Sequence, residues 1–173
     1  SSVSKLTTDS LRQMKWFGNA RSRILKEMQS KTADLRKQVR ARVTAEVNDE
    51  PIYKAIKWLK TGEMTDADGN EIKAEAGFKL NLNEVKDMYP TGANNLTPAP
   101  DITKLGYGKY GMLSETGLPP DIVAGMFGFS SGDALIRTLV ETPSAKELIE
   151  QRTDQAMLEE YSDLSDPKAM EAA

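Results

Sequence analysis

Three places in this chain carry residue types that do chemistry elsewhere, and each has the wrong spacing or the wrong company. Asp66, Asp68 and Asn70 alternate with Glu71 next, as oxygen ligands do in a calcium loop. Such a loop also needs glycine at its sixth position and glutamate at its twelfth. Counted from Asp66, the glycine comes fourth and the twelfth residue is Gly77. The Asp68-Gly69-Asn70 run reads instead as a tight turn. Gly106-Tyr107-Gly108-Lys109-Tyr110-Gly111 is glycine-rich, but no strand precedes it, no helix follows it directly, and the Gly-Lys-Ser/Thr ending of a phosphate loop is missing. It reads as a surface loop anchored by its two tyrosines. The paired carboxylates Asp66/Asp68 and Glu159/Glu160 have the type needed for general acid–base work, yet fit a turn and a solvated helix face better.

The chain has no cysteine and no histidine. Thiolate nucleophiles, disulfides, His ligands, His general bases and Ser-His triads are therefore excluded. We assign no catalytic residue, no cofactor and no metal site, and read the chain as non-enzymatic.

What remains is charge. Residues 1–60 hold 14 Lys/Arg against 6 Asp/Glu, a balance of +8, and residues 61–173 hold 9 against 20, a balance of −11. A basic N-terminal segment suits nucleic acid, an acidic partner, or the acidic part of its own chain. Arg12, Lys15, Arg21, Arg23, Lys26, Lys31, Arg36, Lys37, Arg40 and Arg42 face only Glu27 and Asp34 over that stretch. Phosphate contact through Arg21, Arg23, Lys26, Arg36, Lys37, Arg40 and Arg42 would be sequence-independent and salt-sensitive. Trp16 and Phe17 are the only aromatics nearby, so stacking on single-stranded bases has little support. A solvated or protein-contacting face is the favoured reading of these cations.

The element that carries them is a long helix. From about Asp9 to Val47 there is no proline, one glycine (Gly18) and many strong helix formers. Leu11, Met14, Phe17, Ile24, Leu25, Met28, Leu35, Val39 and Val43 step mainly by three, four or seven, giving one apolar stripe that needs a partner. Eleven-residue spacings within it, such as Phe17–Met28–Val39, suit a nearly straight coiled packing. The stripe thins between Gln29 and Asp34, where a break could occur, and the spacing leaves the continuity of the helix open. We therefore expect oligomerisation or tight docking through this helix.

Downstream, Glu50-Pro51 opens a helix bearing Ile52, Tyr53, Ile56, Trp58 and Leu59, which ends near Thr61-Gly62. A small hairpin is predicted near 63–73, and Asn81 or Asn83 caps a short helix with Leu82, Val85 and Met88. Thr91–Met112, rich in proline and glycine, reads as an extended connection without a regular element.

Three helix starts follow in Gly117–Arg152: one at Pro119-Pro120, one capped by Ser130 or Ser131, and one at a Ser144/Glu147 capping box. Ala124 and Gly128, with the later Leu135, have the skeleton of a helix-turn-helix. Its second helix offers only Arg137, between Asp133 and Glu141, where a DNA-reading helix needs several groups that reach bases and phosphates. A plain helical hairpin core is favoured. A last helix start is expected at Ser165 or Asp166 with Pro167, and the absence of an initiator methionine leads us to expect an internal piece of a longer polypeptide.

The fold class expected is mainly α, a long N-terminal helix followed by a compact multi-helix region with a small β-hairpin and a long Pro/Gly-rich connection. The domain division expected is 1–48 for the basic amphipathic helix and 49–173 for a helical domain, with its connector at 90–112 and helical hairpin region at 118–161. No apolar run approaches a membrane span, and the start lacks the apolar core of a signal peptide.

Several runs resemble segments of very large multidomain proteins of tailed bacteriophages and prophages. They are Gly111-Met112-Leu113, Gly117-Leu118-Pro119-Pro120-Asp121, Met126-Phe127-Gly128-Phe129-Ser130-Ser131-Gly132-Asp133, Thr153-Asp154, Met157 and Tyr161-Ser162-Asp163-Leu164. Upstream, Pro51–Ala55 and Thr65–Glu71 are similar to the same segments, so the resemblance covers about Val43–Ala173. It implies a non-catalytic segment between the enzymatic modules of a giant polyvalent or virion-internal protein, carried in the phage particle and in some cases delivered into the host with the genome. The implied partners are other virion proteins or further copies of the chain, with nonspecific DNA as the alternative. The basic helix lies mostly outside the match.

Overall fold

A 41-residue stretch without proline forms one helix, α1 (Thr8–Asn48), about 60 Å long at 1.5 Å per residue. The structure is a computed structural model that describes residues 8–92 and 97–161, with side chains from Trp16 onward except Phe17. The helix start expected at Ser165–Pro167 lies outside the described residues, as do the side chains of Leu11, Met14 and Phe17. The architecture is mainly helical, with six helices among the described residues, the long one first, and one small antiparallel hairpin. The helix runs unbroken through Gln29–Asp34, where the sequence left its continuity open. Gln, Ser, Lys, Thr and Ala there are all tolerated in a helix, and Thr32 satisfies its hydroxyl by donating to Met28 O at 2.8 Å.

The chain divides into two units. The first comprises Ser1–Val43 and Glu150–Ala173, and the second Thr44–Ile149.

In the second unit, α2 (Pro51–Thr61) starts with proline at its first position and buries Ile52, Tyr53, Ala55, Trp58 and Leu59 on one face. The Tyr53 hydroxyl donates to Pro143 O at 2.8 Å, and Trp58 meets Phe78 edge-on with centroids 6.1 Å apart. Strands β1 (Glu63–Thr65) and β2 (Glu71–Lys73) pair antiparallel with Met64 opposite Ile72. The turn is organised by Asp66, whose Oδ1 accepts from the Asp68 and Asn70 amides at 3.0 and 2.8 Å and whose Oδ2 accepts from Asn70 Nδ2 at 3.3 Å. Asp66 thus works as a turn residue.

Next comes a pairing that the sequence pattern does not announce. β3 (Leu80–Asn81) lies parallel to β4 (Leu113–Ser114), and the sheet edge continues to Leu118 through Asn81 N to Leu118 O at 2.8 Å and Leu118 N to Lys79 O at 2.6 Å. Gly117 is required here by proximity. A Cβ on it would stand 2.5 Å from the Leu80 carbonyl carbon, where Leu80 itself is fully buried. Helix α3 (Leu82–Met88) follows at once, capped by Asn81, whose side chain accepts from Glu84 N at 3.0 Å.

The connector corrects the expectation of an irregular run. Ile102–Leu105 forms a 3-10 turn capped by Asp101 and buries Leu105. Helix α4 (Pro120–Met126) ends in a Schellman arrangement, in which Gly128 has φ +80° and Phe129 N donates to Ala124 O at 2.8 Å. Ser131 caps α5 (Gly132–Glu141) by accepting from Ala134 N at 3.1 Å. α5 packs against α4, α2 and the 3-10 turn, with Leu135, Ile136 and Leu139 buried. It is the centre of this unit.

In the first unit, α1 up to Val43 is joined by α6 (Ala145–Tyr161) from Glu150 onward. Ser144 Oγ accepts from Glu147 N at 3.2 Å, the forward half of the capping box.

Candidate interaction site

The apolar stripe of α1 is continuous but unevenly covered. Val39 and Val43 are 2% and 3% exposed, Leu35 and Met28 are half-buried, and Leu25 and Ile24 are 51% and 57% exposed. The positions are successive turns of one helix face, so the pattern runs from buried to open along a single surface. The remaining stripe residues, Leu11, Met14 and Phe17, lie outside the described side chains.

The basic residues divide in the same direction. Arg36 donates to Glu150 at 3.1 Å and to Asp154 at 2.7 Å, Arg40 pairs with the other Glu150 oxygen, and Arg42 reaches Glu160 at 2.5 Å. Three of the seven proposed phosphate contacts thus face carboxylates of their own chain. Arg21, Arg23, Lys26 and Lys37 are exposed and make no ion pair among the described residues.

The pairing also fixes how α6 meets α1. At about 100° per residue, Arg36 and Arg40 fall to one side of the Val39–Val43 line and Arg42 to the other. The first two pair with the start of this part of α6 and the third with its end. α6 therefore crosses the stripe instead of running along it. Thr153, between the paired acids, is fully buried and its hydroxyl has no hydrogen-bond partner. A crossing helix covers only a short length of its neighbour, and the stripe is open at Leu25 and Ile24.

Glu150 and Asp154 are the partners in this contact that the sequence pattern does not single out, and Glu160, read there as part of a solvated face, meets Arg42. Glu150 and Asp154, spaced by four on an acidic helix, were visible as part of the charge polarity. Which arginines they meet depends on the crossing geometry, which spacing alone does not contain.

The other candidate regions are structural. The only cation of α5, Arg137, donates to both Asp133 oxygens at 2.9 and 3.1 Å and to Pro98 O at 3.0 Å. The Tyr89 hydroxyl also donates to Asp133, and its pKa is pushed well up, first by burial and then by that hydrogen bond. Leu135, Ile136 and Leu139 of α5 are buried, and its one cation is engaged by Asp133 and Pro98 of its own chain. The Gly106–Gly111 loop is not anchored by its tyrosines, since Tyr107 is 62% and Tyr110 83% exposed. Lys79 holds it: Nζ donates to Gly111 O at 2.5 Å, to Lys109 O at 3.3 Å and to Leu59 O at 3.2 Å. Burial, and then nearby Lys60, lower the Lys79 pKa from its ordinary value. At the connector, hydrogen bonds from Thr103 hold the Asp101 carboxyl below the usual carboxylate range.

A groove of about 540 Å³ in the second unit is floored by Tyr53, Met64 and Phe127. Its rim charges are already matched, Lys54 with Asp49 at 3.1 Å and Lys57 with Glu63 at 3.9 Å. Among the described residues, no helix is long and apolar enough to cross a membrane.

No known protein family, no curated protein and no solved structure matches this chain.

Proposed function

We propose that the chain is a non-catalytic docking segment of a large phage virion-associated protein, held to its neighbours in the particle or during genome delivery by helix packing along α1. The phage setting rests on the resemblance over Val43–Ala173. The docking role rests on one observation: Ile24 and Leu25 are more than half exposed on the same helical face that buries Val39 and Val43. Apolar surface that continues a packed seam into solvent is what an interface looks like when its partner is away. A second reading, sequence-independent DNA binding, is favoured by the exposed Arg21, Arg23, Lys26 and Lys37. It is weakened because Arg36, Arg40 and Arg42 already face carboxylates, so phosphates would have to displace them.

Light scattering of the chain with and without duplex DNA, at low and high salt, separates the readings. Docking predicts no DNA complex at either salt. A complex that forms at low salt and falls apart steeply as salt rises would replace it with genome association.

A further inference from the structure

The docking reading leaves the partner open, and the α1–α6 contact indicates its chemistry. We propose that the uncovered part of the α1 stripe, centred on Ile24 and Leu25 next to half-buried Met28, receives an acidic amphipathic helix of a different polypeptide. This inference rests on the docking reading and narrows it.

Two observations carry it. The first is continuity with an existing interface. Where the stripe is buried, at Val39 and Val43, the arginines beside it meet Glu150, Asp154 and Glu160 of α6, and Thr153 between these acids is fully buried. The same stripe continues, open, toward Ile24. The second is charge. From Arg12 to Lys31 the helix carries Arg12, Lys15, Arg21, Arg23, Lys26 and Lys31 against Glu27 alone. Arg21 sits on the stripe itself, one turn before Ile24 and Leu25, and Lys31 lies one turn beyond Met28. Packing α1 against the α1 of a second copy would bring these like charges together across an apolar seam, which disfavours it. An apolar face would cover the stripe, and glutamates along its edges would meet the cations as Glu150, Asp154 and Glu160 of α6 meet Arg36, Arg40 and Arg42.

The experiment uses the whole chain and a labelled synthetic helix of about five turns, with leucines at three- and four-residue spacing and flanking glutamates. A peptide with lysines in place of the glutamates is the comparison. Fluorescence anisotropy should show binding of the Glu peptide and none of the Lys peptide. Ile24→Ser with Leu25→Ser should weaken the Glu peptide by at least about tenfold. Arg21→Glu with Lys31→Glu should weaken it similarly and let the Lys peptide bind, while Lys37→Glu, on the far side of the helix, should stay within about twofold. Equal binding of both peptides, or none of either, overturns the proposal. A chain that self-associates until Ile24 and Leu25 are replaced overturns it in favour of a second copy and leaves the docking reading intact. Duplex DNA binding in place of peptide binding overturns both.

Discussion

Replacing Gly117 by alanine should be among the most costly single-methyl changes this fold can suffer, and Gly125→Ala among the most harmless. Neither glycine has positive φ, so alanine's backbone preference is not at issue and the difference is contact alone. At Gly117 a Cβ would lie 2.5 Å from Leu80 C and Lys79 O and 2.6 Å from Asn81 N. Carbon pairs rest at about 3.5–4.0 Å, so the two chain segments must separate by about 1 Å. All three neighbours are backbone and have no rotamer with which to step aside. Such overpacking costs about 1–3 kcal/mol. The same shift stretches the hydrogen bonds Leu118 N to Lys79 O, at 2.6 Å, and Asn81 N to Leu118 O, at 2.8 Å. Losing both adds about 1 kcal/mol each, for a total of about 3–5 kcal/mol. At Gly125, inside α4, a Cβ meets nothing within 4 Å, so alanine should gain about 0.5–1 kcal/mol of helix propensity. Urea unfolding followed by far-UV dichroism and by the fluorescence of buried Trp58 reads both changes. An unchanged midpoint for Gly117→Ala, or shifts of the same sign in the two variants, would show that the close approach at Gly117 is not what holds the parallel pair together.

Two further substitutions test the polar contacts. Tyr89 has its pKa raised above 10.0 in the folded chain, so its contribution is fully present below pH 10 and is lost as pH climbs beyond it. Tyr89→Phe should lower the urea midpoint at neutral pH by the equivalent of about 1.5–3 kcal/mol, for a bond to a charged acceptor, and should flatten the alkaline decline. Parallel declines in the two chains would assign the pH dependence to other groups. Glu150→Gln, which removes the shared acceptor of Arg36 and Arg40, should cost about 1 kcal/mol in low salt because both pairs are partly exposed. At about 1 M salt, where the screening length is near 3 Å, most of that difference should vanish. A cost that ignores salt would make the contact one of packing.

The regular helices were legible because their signals are local. Pro51, Pro120 and Ser144 mark helix starts, and the apolar spacing of Ile52–Leu59 and Leu135–Leu139 marks the buried faces. Where the sequence offered two caps, Asn81 or Asn83 and Ser130 or Ser131, the structure selects Asn81 and Ser131. The parallel pair was not legible. Two residues per strand are too few for an alternating pattern, and a parallel partner is never adjacent in sequence. The 3-10 turn was hidden for a similar reason, four residues set among prolines and glycines, although Asp101 with Thr103 is a capping signature in retrospect. The exposed tyrosines misled because aromatic residues usually anchor loops, whereas here carbonyls converging on Lys79 do so. For the interaction site, the sequence contained the stripe and the charge polarity. The covered length of the stripe depends on where α6 crosses it.

The parallel pair also orders the assembly of its unit in time. The β1–β2 hairpin and the individual helices close contacts between near neighbours, which takes microseconds or less. Leu80 and Leu113 must find each other across about 33 residues, so loop-closure entropy opposes their meeting before any contact rewards it. The pair is therefore expected to form late in folding. Since that entropy rises by only about 0.6 kcal/mol per doubling of loop length, the stretch between α3 and the 3-10 turn can lengthen or shorten at small cost. The paired segments themselves, Lys79–Asn81 and Met112–Leu118, have no such latitude.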